Sequence, residues 1–127
     1  MKIIKGNLIN FIPASHEDSL DPQVWKKILV SSPDIPIGQL QMVNWAKLPV
    51  GKQFQRHYHE DMYEVFVMVH GRGEMLINGK NYKLYSSDAA IVAPREIHSM
   101  KNTGSEIVEY VVFGIAIGKN GKTMIAK

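Results

Sequence analysis

The stretch GKQFQRHYHEDMYEVFVMVHG, Gly51 to Gly71, decides how this chain is read. Its second half, EVFVMVH, is a β-branched and aromatic run of strand length. Ahead of it stand His57 and His59, separated by one residue, and Glu64 follows five positions after His59. Successive side chains of a strand point to opposite faces, so the two imidazoles share a face with Cα atoms ~7 Å apart. Rings at that spacing can lean onto one ion, because a metal–nitrogen bond of the zinc type spans only ~2.0–2.1 Å. If Glu64 opens the next, antiparallel strand, ~5 Å away, its carboxylate reaches the same point, so three ligands converge from two paired strands. Tyr58 faces the other way, and Glu60 and Asp61 read as turn residues.

Working outward, the remainder from Leu40 onward also reads as sheet. LQMVNWAKL alternates, and AAIVAP, IHSMKN and IVEYVVFGIAIG follow as further strands. EMLINGKNYKLY carries Asn78-Gly79 between two alternating runs, a tight-hairpin signal because both residues tolerate positive φ. Gly71 and Gly73 flank Arg72 where another tight turn is expected, and Asp88 is expected to hydrogen-bond its own turn. Turn signals recur every ~8–12 residues, which favours an all-β barrel or sandwich over an alternating β/α design. The front third holds Pro13, Pro22, Pro33, Pro36 and Pro49, which forbid long helices across those points. Asp21 and Pro22 permit a short helix over QVWKKIL, but WKKILVSS reads better as a strand.

Composition limits the function classes. The 127 residues suit one domain, and their net charge of +3 comes from lysines scattered singly or in pairs, the densest point being Lys26-Lys27. A nucleic-acid groove needs clustered cations, so no nucleic-acid partner is expected. With no cysteine there is neither a disulfide framework nor a thiolate metal site, so any metal is held by nitrogen and oxygen. The N-terminus MKIIKGNLINFIP lacks a continuous apolar core and a small-residue cleavage site, and no apolar run approaches the ~20 residues that span a bilayer. A cytoplasmic protein without membrane association is expected by elimination.

His98, in APREIHSMKN, adds a fourth candidate ligand on a strand face shared with Met100 and Asn102. His57, His59, Glu64 and His98 make a sulfur-free donor set that leaves positions open on an octahedral ion. His16, in the polar SHEDS, reads as a solvated loop residue, and His70, before Gly71, as a rim residue.

Gly51, five residues, His57, one residue, His59, four residues, Glu64, six residues and Gly71 resemble the first motif of the cupin superfamily throughout. SDAAIVAPREIHSMKN resembles the second motif, with His98 and Asn102 at the family's spacing. It departs from that motif in Ser87 before Asp88, in Arg95 or Glu96 at the proline–glycine turn, and in Pro94, one residue nearer to His98 than usual.

The resemblance implies an antiparallel jelly-roll barrel, a double-stranded β-helix. It would be a single domain with N-terminal strands and loops over residues 1–36 and the conserved barrel over 37–127. One divalent transition metal, iron, manganese, nickel, zinc or copper, would be held in its mouth by His57, His59, Glu64 and His98. It also implies a homodimer, in which the apolar IIKGNLINFI adds to the partner's sheet; covering its own barrel is the equal alternative.

Around such an ion, Phe66 and Met68 share the parity of Glu64, and Met100 that of His98, so an apolar pocket for a small organic ligand is expected. Gln53 and Gln55 have the parity of His57 and are candidate contacts at the mouth. Arg95 is a candidate partner for a substrate carboxylate, with a solvated loop arginine as the plainer reading; Tyr110 is a further candidate donor. Glu64 is the candidate catalytic base, since a carboxylate beside a cation needs little release to take a proton. The resemblance leaves three activities: a metal-dependent dioxygenase-type oxidoreductase, which the scarcity of arginines puts first; a sugar-phosphate isomerase or epimerase; and a non-catalytic barrel that binds a ligand without turning it over. Arg56, Arg72 and Arg95 are the arginines present, and Arg56 has the parity that points away from the ion.

Overall fold

Alternation of burial, clearest along the three longest strands, builds two sheets that face one another. The computed structural model describes residues 4–34, 39–117 and 123–126. Eleven strands run through them: β1 Ile12–Pro13, β2 Trp25–Ser31, β3 Leu40–Leu48, β4 His57–His59, β5 Met62–His70, β6 Gly73–Ile77, β7 Lys80–Leu84, β8 Ala89–Val92, β9 His98–Asn102, β10 Val108–Ala116 and β11 Thr123–Ile125. One sheet has the order β1-β2-β3-β10-β5-β8 and the other β11-β4-β9-β6-β7, with every pairing antiparallel. This is the all-β, double-stranded β-helix that the strand pattern and the resemblance anticipate. Trp25–Ser31 is a strand rather than a helix, because β3 offers its open edge and Lys26, Ile28 and Val30 pair with Ala46, Asn44 and Val43.

The inner faces interdigitate around Phe54, Leu48, Met68, Met75, Met100, Val24 and Val108, all essentially inaccessible to solvent. Full burial of each such side chain contributes ~1.5–3 kcal/mol. Asn102 fastens this layer to the loops: its amide donates to the carbonyls of Leu48 and Glu106 and accepts from the Gly104 N–H. Asn78 (φ 47°) and Gly79 (φ 84°) form the β6–β7 turn, as their residue types dictate. Gly71 takes φ 83°, whereas Gly73 is kept small for another reason: a Cβ there would meet Met100 Sδ at 3.0 Å. The Asp88 carboxylate accepts from the Tyr85 N–H within its own turn.

Two of the three departures from the second motif keep the backbone that glycine would take. Ser87 adopts φ 74° and Arg95 φ 68°. Both are therefore held in the left-handed region by their surroundings, at a cost of roughly 1–2 kcal/mol each. Ser87 N–H donates to Met68 O, and Arg95 N–H donates to His59 O at 2.7 Å.

In the N-terminal segment, Ile12 and Pro13 pair with β2 of their own chain, so this part of the apolar run covers its own sheet edge. The boundary expected between residues 36 and 37, and the start of the run at residues 1–3, lie outside the described residues. No helix among the described residues is long and apolar enough to cross a membrane.

Candidate metal centre

The four expected ligands meet, by a different route from the one that spacing suggests. β4 and β5 are not paired. The short turn at Glu60 and Asp61 carries the chain from one sheet to the other, so His57 and His59 project from the five-stranded sheet and Glu64 from the six-stranded sheet opposite. The neighbour of β4 that supplies a ligand is β9, where His57 stands directly across from His98. Convergence thus happens through the barrel interior rather than along one sheet, because closing the barrel brings the two inner faces together.

The four residues are all buried, and one potential ligand atom from each lies within 4.8 Å of all the others. Donors on one ion, each ~2.1 Å from it, lie ~3.0–4.2 Å apart, so the widest pair of the cluster needs a contraction of between about half an ångström and two ångströms. The hydrogen bonds orient the rings for that purpose. His57 Nδ1 donates to the Gln55 carbonyl at 2.8 Å and His98 Nδ1 to the Glu96 carbonyl at 2.9 Å. Carbonyls only accept, so both rings carry a proton on Nδ1 and present Nε2 to the centre. His59 Nδ1 is held at 3.1 Å from Thr123 Oγ1.

Glu64 Oε1 lies 2.8 Å from His59 Nε2 and 2.9 Å from His98 Nε2. For His98, whose Nδ1 proton is already engaged, such closeness to a carboxylate requires a second proton on the ring or a cation between the two atoms. A shared cation satisfies every donor at once, so the chemistry of the set fits a metal ion. The protonation states agree. Burial, then the neighbouring His16 and His98, hold His57 down to about 2, so its ring is a neutral ligand. Burial would raise the Glu64 carboxyl, yet the facing His59 and His98 rings outweigh it and hold the group ionised, well below the ordinary carboxylate range.

A cavity of about 280 Å³ opens onto the centre, at the small end of ligand pockets. Its wall includes His57, His59, Glu64, Phe66 and Tyr110, but not the other expected pocket residues. Met68 and Met100 are packed in the core, because their rows of the sheets lie beneath Phe66 and Phe54 rather than at the opening. Gln53 and Gln55 are exposed, since the chain before His57 is loop apart from one bridge of Gln53 to Lys101, and strand parity does not extend back to them. Gln53 donates to Ser99 Oγ instead. Arg95 is exposed at its turn, and among the arginines none lines the cavity.

His16 is not a solvated loop residue. Its ring stacks on His57 with centroids 4.1 Å apart and lines the cavity. The neighbouring Glu17 anchors the loop: its side chain is 2% exposed and accepts from His16 Nδ1 (2.9 Å), Gln23 N–H (2.7 Å) and Gln55 N–H (2.9 Å). The polar SHEDS composition hides this, because the loop's hydrogen bonds close over a distant segment. His70 stands at the surface beside Glu106, as a rim residue does.

The cupin-domain family profile matches residues 44–114, more than half of the chain. The chain belongs to the cupin family. The oxalate-binding protein of Thermotoga maritima is 32% identical over 65 residues, a match that spans 51% of this chain and only 54% of that relative. An uncharacterized protein of Methanocaldococcus jannaschii is 27% identical over 105 residues, 83% of this chain and 80% of the relative. Among solved structures, a predicted oxalate decarboxylase from Thermotoga maritima superposes with a TM-score of 0.80 at 22% identity, covering 91% of this chain and all of the other. The likeness in structure is one of fold.

Proposed function

We propose that this cupin is a cytoplasmic, metal-dependent enzyme acting on a small organic molecule, with dioxygenase-type oxidation as its chemistry. The observation that carries the reading is the convergence of His57, His59, Glu64 and His98 beside a cavity of small-molecule size, whose wall the first three help to form. A divalent transition metal held by those four residues supplies Lewis acidity and, where the ion is redox-active, electron transfer to oxygen. The protein's own part is positioning and proton handling. Phe66, Met62 and Val112 give the cavity an apolar wall that limits water around the ligand. Glu64, the only carboxylate in the cluster among the described residues, accepts a proton from the ligand's hydroxyl or C–H as charge develops there. An isomerase of phosphorylated sugars is less well supported, because no arginine lines the cavity.

A second reading, binding of a small acid without turnover, is favoured by the 32% identity to an oxalate-binding protein. Elemental analysis and oxygen uptake separate the two. The proposal expects about one transition-metal ion per chain and oxygen consumption with a member of a panel of enols, diols and thiols. Absence of metal after incubation with iron, manganese, nickel, zinc and copper defeats both readings, and metal with ligand binding but no turnover selects the second.

The same reading includes a homodimer. The outer face of the six-stranded sheet carries two contiguous apolar rows, Val43–Phe113–Val65–Ile91 and Trp45–Val111–Val67–Ala89, set side by side by the strand register. Ile91 is largely exposed and the other large side chains in these rows are partly so, a continuous apolar surface of the kind that a second copy covers. Light scattering at micromolar concentration checks it, with a monomer mass as the contrary result.

A further inference from the structure

One imidazole on the cavity wall keeps a nitrogen without a partner, and the loop around it decides which nitrogen that is. His16 stands outside the residues that the family profile matches, on the loop between β1 and β2. Its ring lines the cavity and packs on two others, His57 with centroids 4.1 Å apart and Phe54 at 5.2 Å. On its other side, Nδ1 lies 2.9 Å from Glu17 Oε2. The same carboxylate accepts the backbone N–H groups of Gln23 and Gln55. Burial would raise this carboxyl, yet the contacts with His16, Gln55 and Gln23 prevail and hold it below the ordinary range, so it is ionised.

An ionised carboxylate only accepts, so the His16 proton sits on Nδ1 and Nε2 is the acceptor end of the neutral imidazole. Nε2 has no hydrogen-bond partner among the described residues, and the side chain is 15% exposed. A carboxylate behind one ring nitrogen fixes the tautomer and direction of the other, as it does for histidines that hold metals. Asn44, on β3, adds a second acceptor to the wall: it is 6% exposed, and its Oδ1 is buried without a partner. Buried polar atoms in native proteins are nearly always paired, with protein, water or ligand. Lys26 reaches the same wall, but its ammonium rests on Ser15 Oγ in an exposed contact, where water screens its charge.

We propose that His16 Nε2 accepts a hydrogen bond from a hydroxyl of the ligand. His16 is then a specificity-determining residue, Glu17 the residue that positions it, and the substrate class a small hydroxylated compound. This rests on the metal-centred reading above. Because the His16 ring stacks on His57, the hydroxyl it reads lies only a few bonds from the ligand's metal-binding end. A carboxylate or an ether at that point has no proton to give and leaves Nε2 unmet.

The test is calorimetric binding of hydroxamates, which share one metal-binding end, to protein loaded with zinc, an ion without redox chemistry, after elemental analysis has read its uptake. 3-Hydroxypropanohydroxamate and butanohydroxamate exchange a hydroxyl for a methyl of similar size. 3-Methoxypropanohydroxamate and pentanohydroxamate exchange an ether oxygen, which accepts but cannot donate, for a methylene. Both pairs are also run one carbon shorter. In native protein the hydroxyl is expected to gain about fivefold or more over the methyl at one of the two lengths, as a net hydrogen bond provides, and the ether to stay within about twofold of its methylene partner. His16→Phe keeps a ring against His57 and Phe54 and removes the acceptor; the hydroxyl's gain then falls to within about twofold, while butanohydroxamate binds as it does to native protein. A residue that only packs against His57 would weaken every probe alike and leave the gain unchanged. No gain of hydroxyl over methyl at either length in native protein, an equal gain for the ether, or a gain that persists in His16→Phe would overturn the assignment and leave the metal centre standing. Failure to take up zinc or any other transition metal, or loaded protein that binds no hydroxamate, removes the metal-centred reading itself.

Discussion

Replacing Glu17 by alanine tests the least expected part of the site, the loop that closes over His57. The side chain is nearly inaccessible and receives three hydrogen bonds, from His16 Nδ1, Gln23 N–H and Gln55 N–H. Hydrogen bonds to a charged group contribute ~1.5–3 kcal/mol each when shielded and less where water replaces the acceptor. The Gln55 N–H is exposed and recovers most of its bond from solvent, whereas the Gln23 and His16 donors are partly buried. The sum is a loss of about 3 kcal/mol, a drop in melting temperature of roughly 10 °C for a domain of this size. Glu17→Gln keeps one carbonyl acceptor and loses the charge, so about half of that loss is expected. Urea unfolding of metal-free protein, followed by fluorescence of Trp25 and Trp45, measures both. The freed His16 ring also stops bracing His57, and metal affinity falls by about 10- to 100-fold, the usual effect of removing an outer support of a ligand. A loss below about 0.5 kcal/mol in Glu17→Ala would mean that the loop is held by something else, and the argument for a braced His57 would go with it.

The same carboxylate sets an acid dependence. Burial works to raise its pKa, but the hydrogen bonds from His16, Gln55 and Gln23 prevail, and the folded-state pKa lies below the ordinary 4.5. Its stabilisation is therefore present above that value and is lost as pH falls through the folded-state pKa; melting curves of Glu17→Gln should be flatter than native ones on the acid side. His59→Ala should bind well under one metal ion per chain by elemental analysis while retaining a cooperative melt, since a ligand is not the core. Ser87→Gly and Arg95→Gly each relieve ~1–2 kcal/mol of left-handed strain and return ~0.5–1 kcal/mol through the more flexible unfolded chain, so each should stabilise by about 0.5–1 kcal/mol in urea melts. Destabilisation by either would show that the side chain makes contacts that matter more than its backbone strain. Gly114→Ala drives a Cβ into Met42 and into Met62 Sδ, both on the cavity wall, and should cost ~1–3 kcal/mol and weaken ligand binding.

Much of this protein is legible in the order of its residues. Period-two alternation marks β2, β3, β6 and β7, β-branched and apolar composition marks β5, β8, β9 and β10, and Asn78-Gly79 marks its hairpin through the φ it can adopt. The ligand types are legible too, since His57, His59 and Glu64 are fixed in spacing by the reach of one ion. β11 escapes notice: three residues are too few to show a period, yet Thr123 comes from it to hold His59.

What the linear order does not contain is which strand joins which sheet. Alternation says that a face is buried but not against what, so the spacing of His59 and Glu64 is equally consistent with one sheet or two, and only barrel closure sends them to opposite sides. The same holds for SHEDS and Lys26. A polar loop or a lysine in a strand reads as solvated when its neighbours in sequence are polar, but whether it meets water or the interior depends on segments far along the chain. By itself, then, the sequence determined the kind of fold and the chemical identity of the metal donors, both of which follow from local periodicity and donor type. Tertiary structure alone decided the cavity's outer wall of His16, Lys26 and Asn44, because burial and unmet hydrogen bonds are properties of contacts between residues that the chain keeps far apart until it folds.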